Sequence, residues 1–119
     1  MSDPKIKLSQ KSHNDLCILT LHEKSLDTDK APVLKTELLR LLAGGAKHFL
    51  INMSEVDTID NSGLGALTFG KRQLDDTGGQ FSLCCLCDGV FSFLRIANLG
   101  RVFPVYDTEE MAVKEMRCE

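Results

Sequence analysis

Ser62 stands in the run Ile59-Asp60-Asn61-Ser62-Gly63-Leu64-Gly65-Ala66-Leu67, with an acid before it and two glycines after it. The residues ahead of it read as the end of a strand and those after it as a helix. A serine at a helix N-terminus meets backbone N–H groups and a dipole that both favour added negative charge. The chemistry suited to it is acceptance of a phosphate. A kinase brings its own catalytic aspartate, metal and ATP, so the acceptor needs only exposure. The group would add roughly -1.5 to -2 charges where Asp57 and Asp60 repel it, which a fold can survive and a docked partner cannot. The plainer role is structural: Asn61 or Ser62 caps the helix, and the glycines let it pack closely on a sheet.

Nucleophilic catalysis fits these residues less well. A hydrolase elbow needs glycines two positions either side of the serine, and those positions hold Asp60 and Leu64. The three histidines are His13, His22 and His48. At roughly 3.3 Å per strand residue, His48 should lie about 15 Å or more from Ser62; His13 and His22 come with no matching acid motif. Cys84 and Cys87 have C-x-x-C spacing, but they continue the apolar run Phe81-Ser82-Leu83. Cys85 and Cys87 are then expected on one face of a strand and Cys84 on the other, as packing rather than redox groups. Zinc would need a second ligand pair, which Cys17, Cys118 and the histidines do not offer. Gly63-Leu64-Gly65 and Gly78-Gly79 lack the spacing and lysine of nucleotide-binding loops. No catalytic residue, metal site or cofactor is therefore expected.

The elements that would position Ser62 can be read from spacing. Ile6 to Gln10 and Leu16 to Leu21 are β-prone runs joined by Lys11-Ser12-His13-Asn14-Asp15, which predicts an opening hairpin. Asp27-Thr28-Asp29 can cap a helix in which Pro32 occupies the first turn. Ala31, Leu34, Leu38, Leu41 and Leu42 then recur at helical spacing until Gly44-Gly45. Lys47 to Met53 reads as a buried strand, followed by the Ser62 turn, a helix to about Asp76 and a strand from Gln80 to Cys87. Strand, helix and buried strand in succession predict a βαβ unit with parallel strands. Val90, Phe91, Leu94 and Ala97 suggest a helix ending near Asn98-Leu99-Gly100, and Val102 to Tyr106 a short strand. Asp107 and Glu110 have capping-box spacing ahead of a last helix through Met111 and Met116. The fold class expected is α/β: a sandwich on a mixed, mostly parallel sheet of four to five strands with about four helices.

A chain of 119 residues is most simply one domain, with 43% hydrophobic and 26% charged residues in the globular range. The formal net charge of -3 comes with no basic stripe, so nucleic-acid binding is not expected. No apolar run approaches the roughly 20 residues of a spanning helix, and the first residues carry no signal core. Five cysteines, an odd number, read as reduced thiols. Both features predict a cytoplasmic protein without membrane insertion.

Winding the helix after Ser62 at 100° per residue places Leu64, Leu67 and Leu74 on the sheet side. Ser62, Ala66, Phe69 and Gln73 fall opposite, as a partner-binding patch would; alternatively Phe69 packs under a neighbouring helix or loop. The run Asp60-Asn61-Ser62-Gly63-Leu64-Gly65 resembles the signature of the STAS family, the anti-sigma factor antagonist domains. Leu26-Asp27 is similar to the pair before that family's first helix, and Asp107-Thr108-Glu109-Glu110 to its acidic opening of the last. Lys24 stands where the family usually has glycine. The resemblance implies a free-standing bacterial STAS domain over residues 1–119 that is no enzyme and acts by partner switching. Unphosphorylated, it would bind an anti-sigma factor serine kinase and free a sigma factor. Phosphorylation on Ser62 would release the kinase, and a serine phosphatase would reset the switch. The implied partner-binding residues are Asp27, Asp60, Asn61, Ser62, Gly63, Gly65, Ala66, Phe69 and Gln73, with Gly63 and Gly65 allowing close approach. The alternatives are a constitutive STAS adaptor in a transporter or stress-signalling complex and, further off, a thiol enzyme.

Overall fold

The structure is a computed structural model that describes residues 6–97 and 102–116. Leu8–His13 (β1) and Leu16–Leu21 (β2) form the antiparallel hairpin. Its turn is tighter than the polar spacer suggested, because Lys11, Ser12 and His13 pair with Ile18, Cys17 and Leu16. They are polar as an exposed edge strand is polar, and only Asn14 and Asp15 turn. Asn14 takes the left-handed region at φ 57°, which asparagine tolerates better than most residues.

Ala31–Ala43 (α1) follows the two-residue strand Ser25–Leu26 (β3), and buries Ala31, Leu34, Leu38 and Leu41 along one stripe. His48–Asn52 (β4), Thr58–Ile59 (β5), Asn61–Asp75 (α2) and Phe81–Cys84 (β6) come next. Asp88–Ile96 (α3), Val105–Tyr106 (β7) and Glu109–Met116 (α4) complete the order. The main sheet has five strands in the order β1-β2-β4-β6-β7, and every pair but β1–β2 is parallel. This is the expected mixed, mostly parallel sheet with four helices. A separate two-stranded parallel sheet, β3–β5, was not visible in the sequence.

Period-2 alternation divides the strands between two cores. Cys17, Leu19, Leu21, Phe49, Ile51, Phe81 and Leu83 face the larger core, with the buried stripes of α1, α2 and α3. Leu16, Ile18, Leu50 and Cys84 face the other, closed by Ala112 and Met116 of α4. Phe81 packs between Phe49, edge-on, and Phe103, tilted, at centroid separations of 6.1 and 5.8 Å, within the range of favourable aromatic pairs.

Three expectations are corrected at element ends. The strand from Gln80 to Cys87 ends at Cys84, because Cys85 takes φ 64° and breaks the extended chain. The strand from Val102 to Tyr106 shortens to Val105–Tyr106, with Phe103 buried as a core residue. The last helix is capped by Thr108, whose Oγ1 accepts the Met111 N–H at 3.1 Å, rather than by a box of Asp107 and Glu110. The helix end expected near Asn98-Leu99-Gly100 lies outside the described residues.

Candidate functional site

The small β3–β5 sheet assembles the site. Its pairs, Ser25 with Thr58 and Leu26 with Ile59, bring the chain entering α1 beside the chain entering α2, although 33 residues separate them. The Asp60 N–H donates to Leu26 O at 3.3 Å, and Asp57 and Thr58 donate to Lys24 O. Lys24 is not in the left-handed region, so this turn does not require the glycine that Lys24 replaces.

Asp60 is the N-cap of α2, extended at φ -114° and ψ -174°. Its Oδ1 accepts the Gly63 N–H at 2.9 Å, and its carbonyl the Leu64 N–H at 2.9 Å. Neither Asn61 nor Ser62 therefore caps the helix. Asn61 is the exposed first helical residue, and Ser62, the second, is half-buried. Ser62 Oγ lies 3.2 Å from Thr28 Oγ1. Thr28 is exposed, and no periodicity could have announced it; only the β3–β5 pairing brings it to Ser62.

Asp27 orders the loop that carries Thr28. Its Oδ1 accepts the N–H groups of Asp29 and Lys30 at 3.1 and 3.3 Å, and its Oδ2 the Ser25 hydroxyl at 3.2 Å. Partial desolvation pushes this carboxyl up. The Lys30 N–H, the Ser25 hydroxyl, the Asp29 N–H and the Lys30 charge outweigh it and hold the group below the usual aspartate range. Asp27 thus braces the turn from three residues before the α1 boundary, while Lys30 at the N-cap makes no side-chain cap.

Gly63 and Gly65 are not equivalent. A Cβ on Gly63 would stand 2.2 Å from Leu26 O and 2.9 Å from Leu26 Cγ, so only glycine lets α2 start against β3. Around Gly65 such an atom meets nothing within 4 Å. Close internal approach explains Gly63 alone; Gly65 leaves a bare, exposed stretch of helix three residues from Ser62.

The outward stripe is corrected at Ala66. Ala66 is fully buried in the larger core, because α2 packs on α1 as well as on the sheet and its apolar face is wider than one row of leucines. Gly70 shows the same: an added Cβ would lie 2.9 Å from Leu38 of α1 and 2.6 Å from Phe81. Phe69 is half-buried at the boundary between these helices, with Lys35 Nζ 5.7 Å from its ring centroid. Gln73 is likewise half-buried. Beside Ser62, Thr28 and Asn61 are exposed, as are Asp29 on the same loop and Gly65 on the same helix, with the Asp60 carboxylate at the helix cap.

His48 sits at the start of β4, where its Nδ1 accepts the Gln80 N–H at 3.0 Å. His22, in contrast, does meet an acid and a serine. Nδ1 is 2.7 Å from Glu55 Oε2 and Nε2 is 2.6 Å from Ser9 Oγ, an arrangement scattered over residues 9, 22 and 55 and invisible as a motif. None of the three lines the cavities of about 580 and 350 Å³. Among the described residues no group of three potential ligands could hold a metal ion, and no helix is long and apolar enough to cross a membrane.

The STAS domain model matches residues 7–112. The chain belongs to the STAS domain family. A Thermotoga maritima protein assigned as an anti-sigma factor antagonist is 27% identical over 104 residues, covering 87% of this chain and 92% of that relative. The crystal structure of such a Thermotoga maritima protein superposes with a TM-score of 0.85 at 26% identity, over 93% of this chain and 95% of the other. The anti-sigma factor antagonist SpoIIAA in its unphosphorylated form shares the fold, at 20% identity and a TM-score of 0.80 over 94% and 96% of the two chains. STAS proteins of the anti-sigma factor antagonist kind are regulatory and non-enzymatic, which sets aside the hydrolase and thiol-enzyme alternatives.

Proposed function

We propose that this STAS protein is an anti-sigma factor antagonist that works by partner switching. Unphosphorylated, it holds an anti-sigma factor serine kinase; phosphorylated on Ser62, it releases the kinase, and a serine phosphatase restores the first state. The observation that carries the reading is the place of Ser62: second residue of α2, with its cap already supplied by Asp60. Its hydroxyl is spared any role in holding the helix. A phosphate there is accommodated by the free N–H groups of the first turn and repelled by Asp60 at the helix cap and Asp27 in the loop that carries Thr28. The fold therefore tolerates a charge that an apposed protein surface must desolvate. That a SpoIIAA structure exists in a phosphorylated form supports the same reading.

The test is a comparative capture from the source lysate, with wild type, Ser62→Ala and Ser62→Asp as baits and identification of what each retains. An anti-sigma factor serine kinase held by wild type and Ser62→Ala, and weakened about tenfold or more with Ser62→Asp, is the expected result. Identical catches from both variants, dominated by transporter or scaffold proteins, would replace switching with a constitutive adaptor role.

A further inference from the structure

Cys84 and Cys85 are neighbours in the chain and neighbours in space. In a continuing strand their side chains would point to opposite faces. Cys85 instead takes φ 64°, a left-handed conformation unfavourable for a residue with a side chain and without the polar group that eases it in asparagine. The turn brings the two sulfurs to 3.4 Å. It is held from both strands: the Cys84 carbonyl accepts the Met53 N–H at 3.0 Å, and the Cys85 N–H donates to Tyr106 O at 3.1 Å. Cys84 is buried and Cys85 half-buried, so a reagent reaches the pair through Cys85.

We infer that Cys84 and Cys85 form a vicinal dithiol site that closes on one trivalent thiophilic metalloid centre, of the arsenite and organoarsenical class. Two sulfurs each about 2.3 Å from a shared centre stand roughly 3.3–3.8 Å apart for bond angles between about 90 and 110°, and the pair already has that separation. A disulfide fits worse, because adjacent Cα atoms lie about 3.8 Å apart while disulfides bridge about 4.4–6.8 Å. A tetrahedral zinc ion fits worse too, since it wants four ligands and no three-residue ligand group exists among the described residues.

The reaction also suits the electrostatics. With an arsenoxide, two S–H bonds and the arsenic–oxygen bonding are broken, two arsenic–sulfur bonds form, and the oxygen leaves with both protons as one water. Nothing is oxidised or reduced, and the adduct carries no charge. Burial, then the hydrogen bond from Cys85, then the charges of Cys85 and Glu109 all push the Cys84 thiol up. Burial thus disfavours a lasting thiolate on Cys84 and suits a neutral product.

The probe is phenylarsine oxide, titrated into the folded full chain with excess glutathione present and read by native mass spectrometry. One adduct per chain, heavier by the arsenical less one water and stripped by a competing small dithiol, is expected. It should survive in Cys17→Ala, Cys87→Ser and Cys118→Ser. In Cys84→Ala and in Cys85→Gly apparent affinity should fall about a hundredfold or more, the gain that a second thiol in the same molecule supplies. Cys85→Gly suits the left-handed turn, so its loss of binding cannot be laid to misfolding. No adduct on wild type, undiminished binding by Cys85→Gly, or loss of binding in Cys87→Ser would each overturn the assignment.

Discussion

Gly63 and Gly65 lie two residues apart, and replacing each by alanine separates packing from recognition. In Gly63→Ala the methyl group must displace the Leu26 backbone, an overpacking cost of roughly 2–3 kcal/mol. Thermal unfolding should shift down by about 10 °C. In Gly65→Ala the methyl group meets no neighbour and helix propensity improves by about 0.5–1 kcal/mol. Its melting temperature should rise while capture of the proposed kinase partner weakens, because the added group stands on the exposed side of the helix that carries Ser62. A Gly65→Ala protein that is more stable and captures its partner undiminished would remove Gly65 from the interface. Asp60 and Ser62 divide their work in the same spirit: one secures the helix, the other is left available.

At the scale of elements, the carboxylate of Glu109 helps tie α4 to the sheet, beside the packing of Ala112 and Met116. Glu109 accepts from Lys11 Nζ of β1 at 2.6 Å and from Asn52 Nδ2 of β4 at 2.9 Å. The Lys11 hydrogen bond, opposed by partial desolvation and helped by Asn52 and the Lys11 charge, holds its carboxyl below the usual glutamate range. An unfolded chain regains the ordinary value, so on acidification it takes up a proton that the folded chain still refuses. The contribution is complete above the unfolded pKa of about 4.3 and is lost as pH falls through the lower folded value. Denaturant midpoints measured between about pH 6 and pH 3 should therefore fall more steeply for wild type than for Glu109→Gln. At neutral pH the variant should be less stable by about 1 kcal/mol. Parallel slopes for the two proteins would show that the bridge contributes nothing.

At the scale of the whole molecule, the order of the large elements was legible because periodicity reports burial. The stripe Ala31, Leu34, Leu38 and Leu41 and the apolar β4 could hardly be anything but a helix and a central strand. The candidate site was legible in the run around Ser62, and its structural neighbour Thr28 was not. Thr28 belongs to the surface only through β3 and β5, two-residue strands too short to leave a pattern. Ala66 was misplaced because spacing along α2 shows the sheet beneath it and not α1 beside it. The Cys84–Cys85 turn escaped notice because the left-handed residue is a cysteine within an apolar run, where neither glycine nor asparagine announces a break.

The β3–β5 pairing has one more consequence, for what a partner can recognise. Thr28 and Ser62 form a discontinuous surface that exists only when segments 34 positions apart are registered against each other. A linear peptide of residues 55–75 carries Ser62 but not this surface, and in competition binding it should compete for the proposed kinase partner at least about a hundredfold more weakly than the intact chain. Equal competition by the peptide would mean that the kinase reads local sequence alone. With the expected weak competition, a nascent or damaged copy of this protein would be silent toward the proposed kinase partner, since it presents no such surface until its two halves have met.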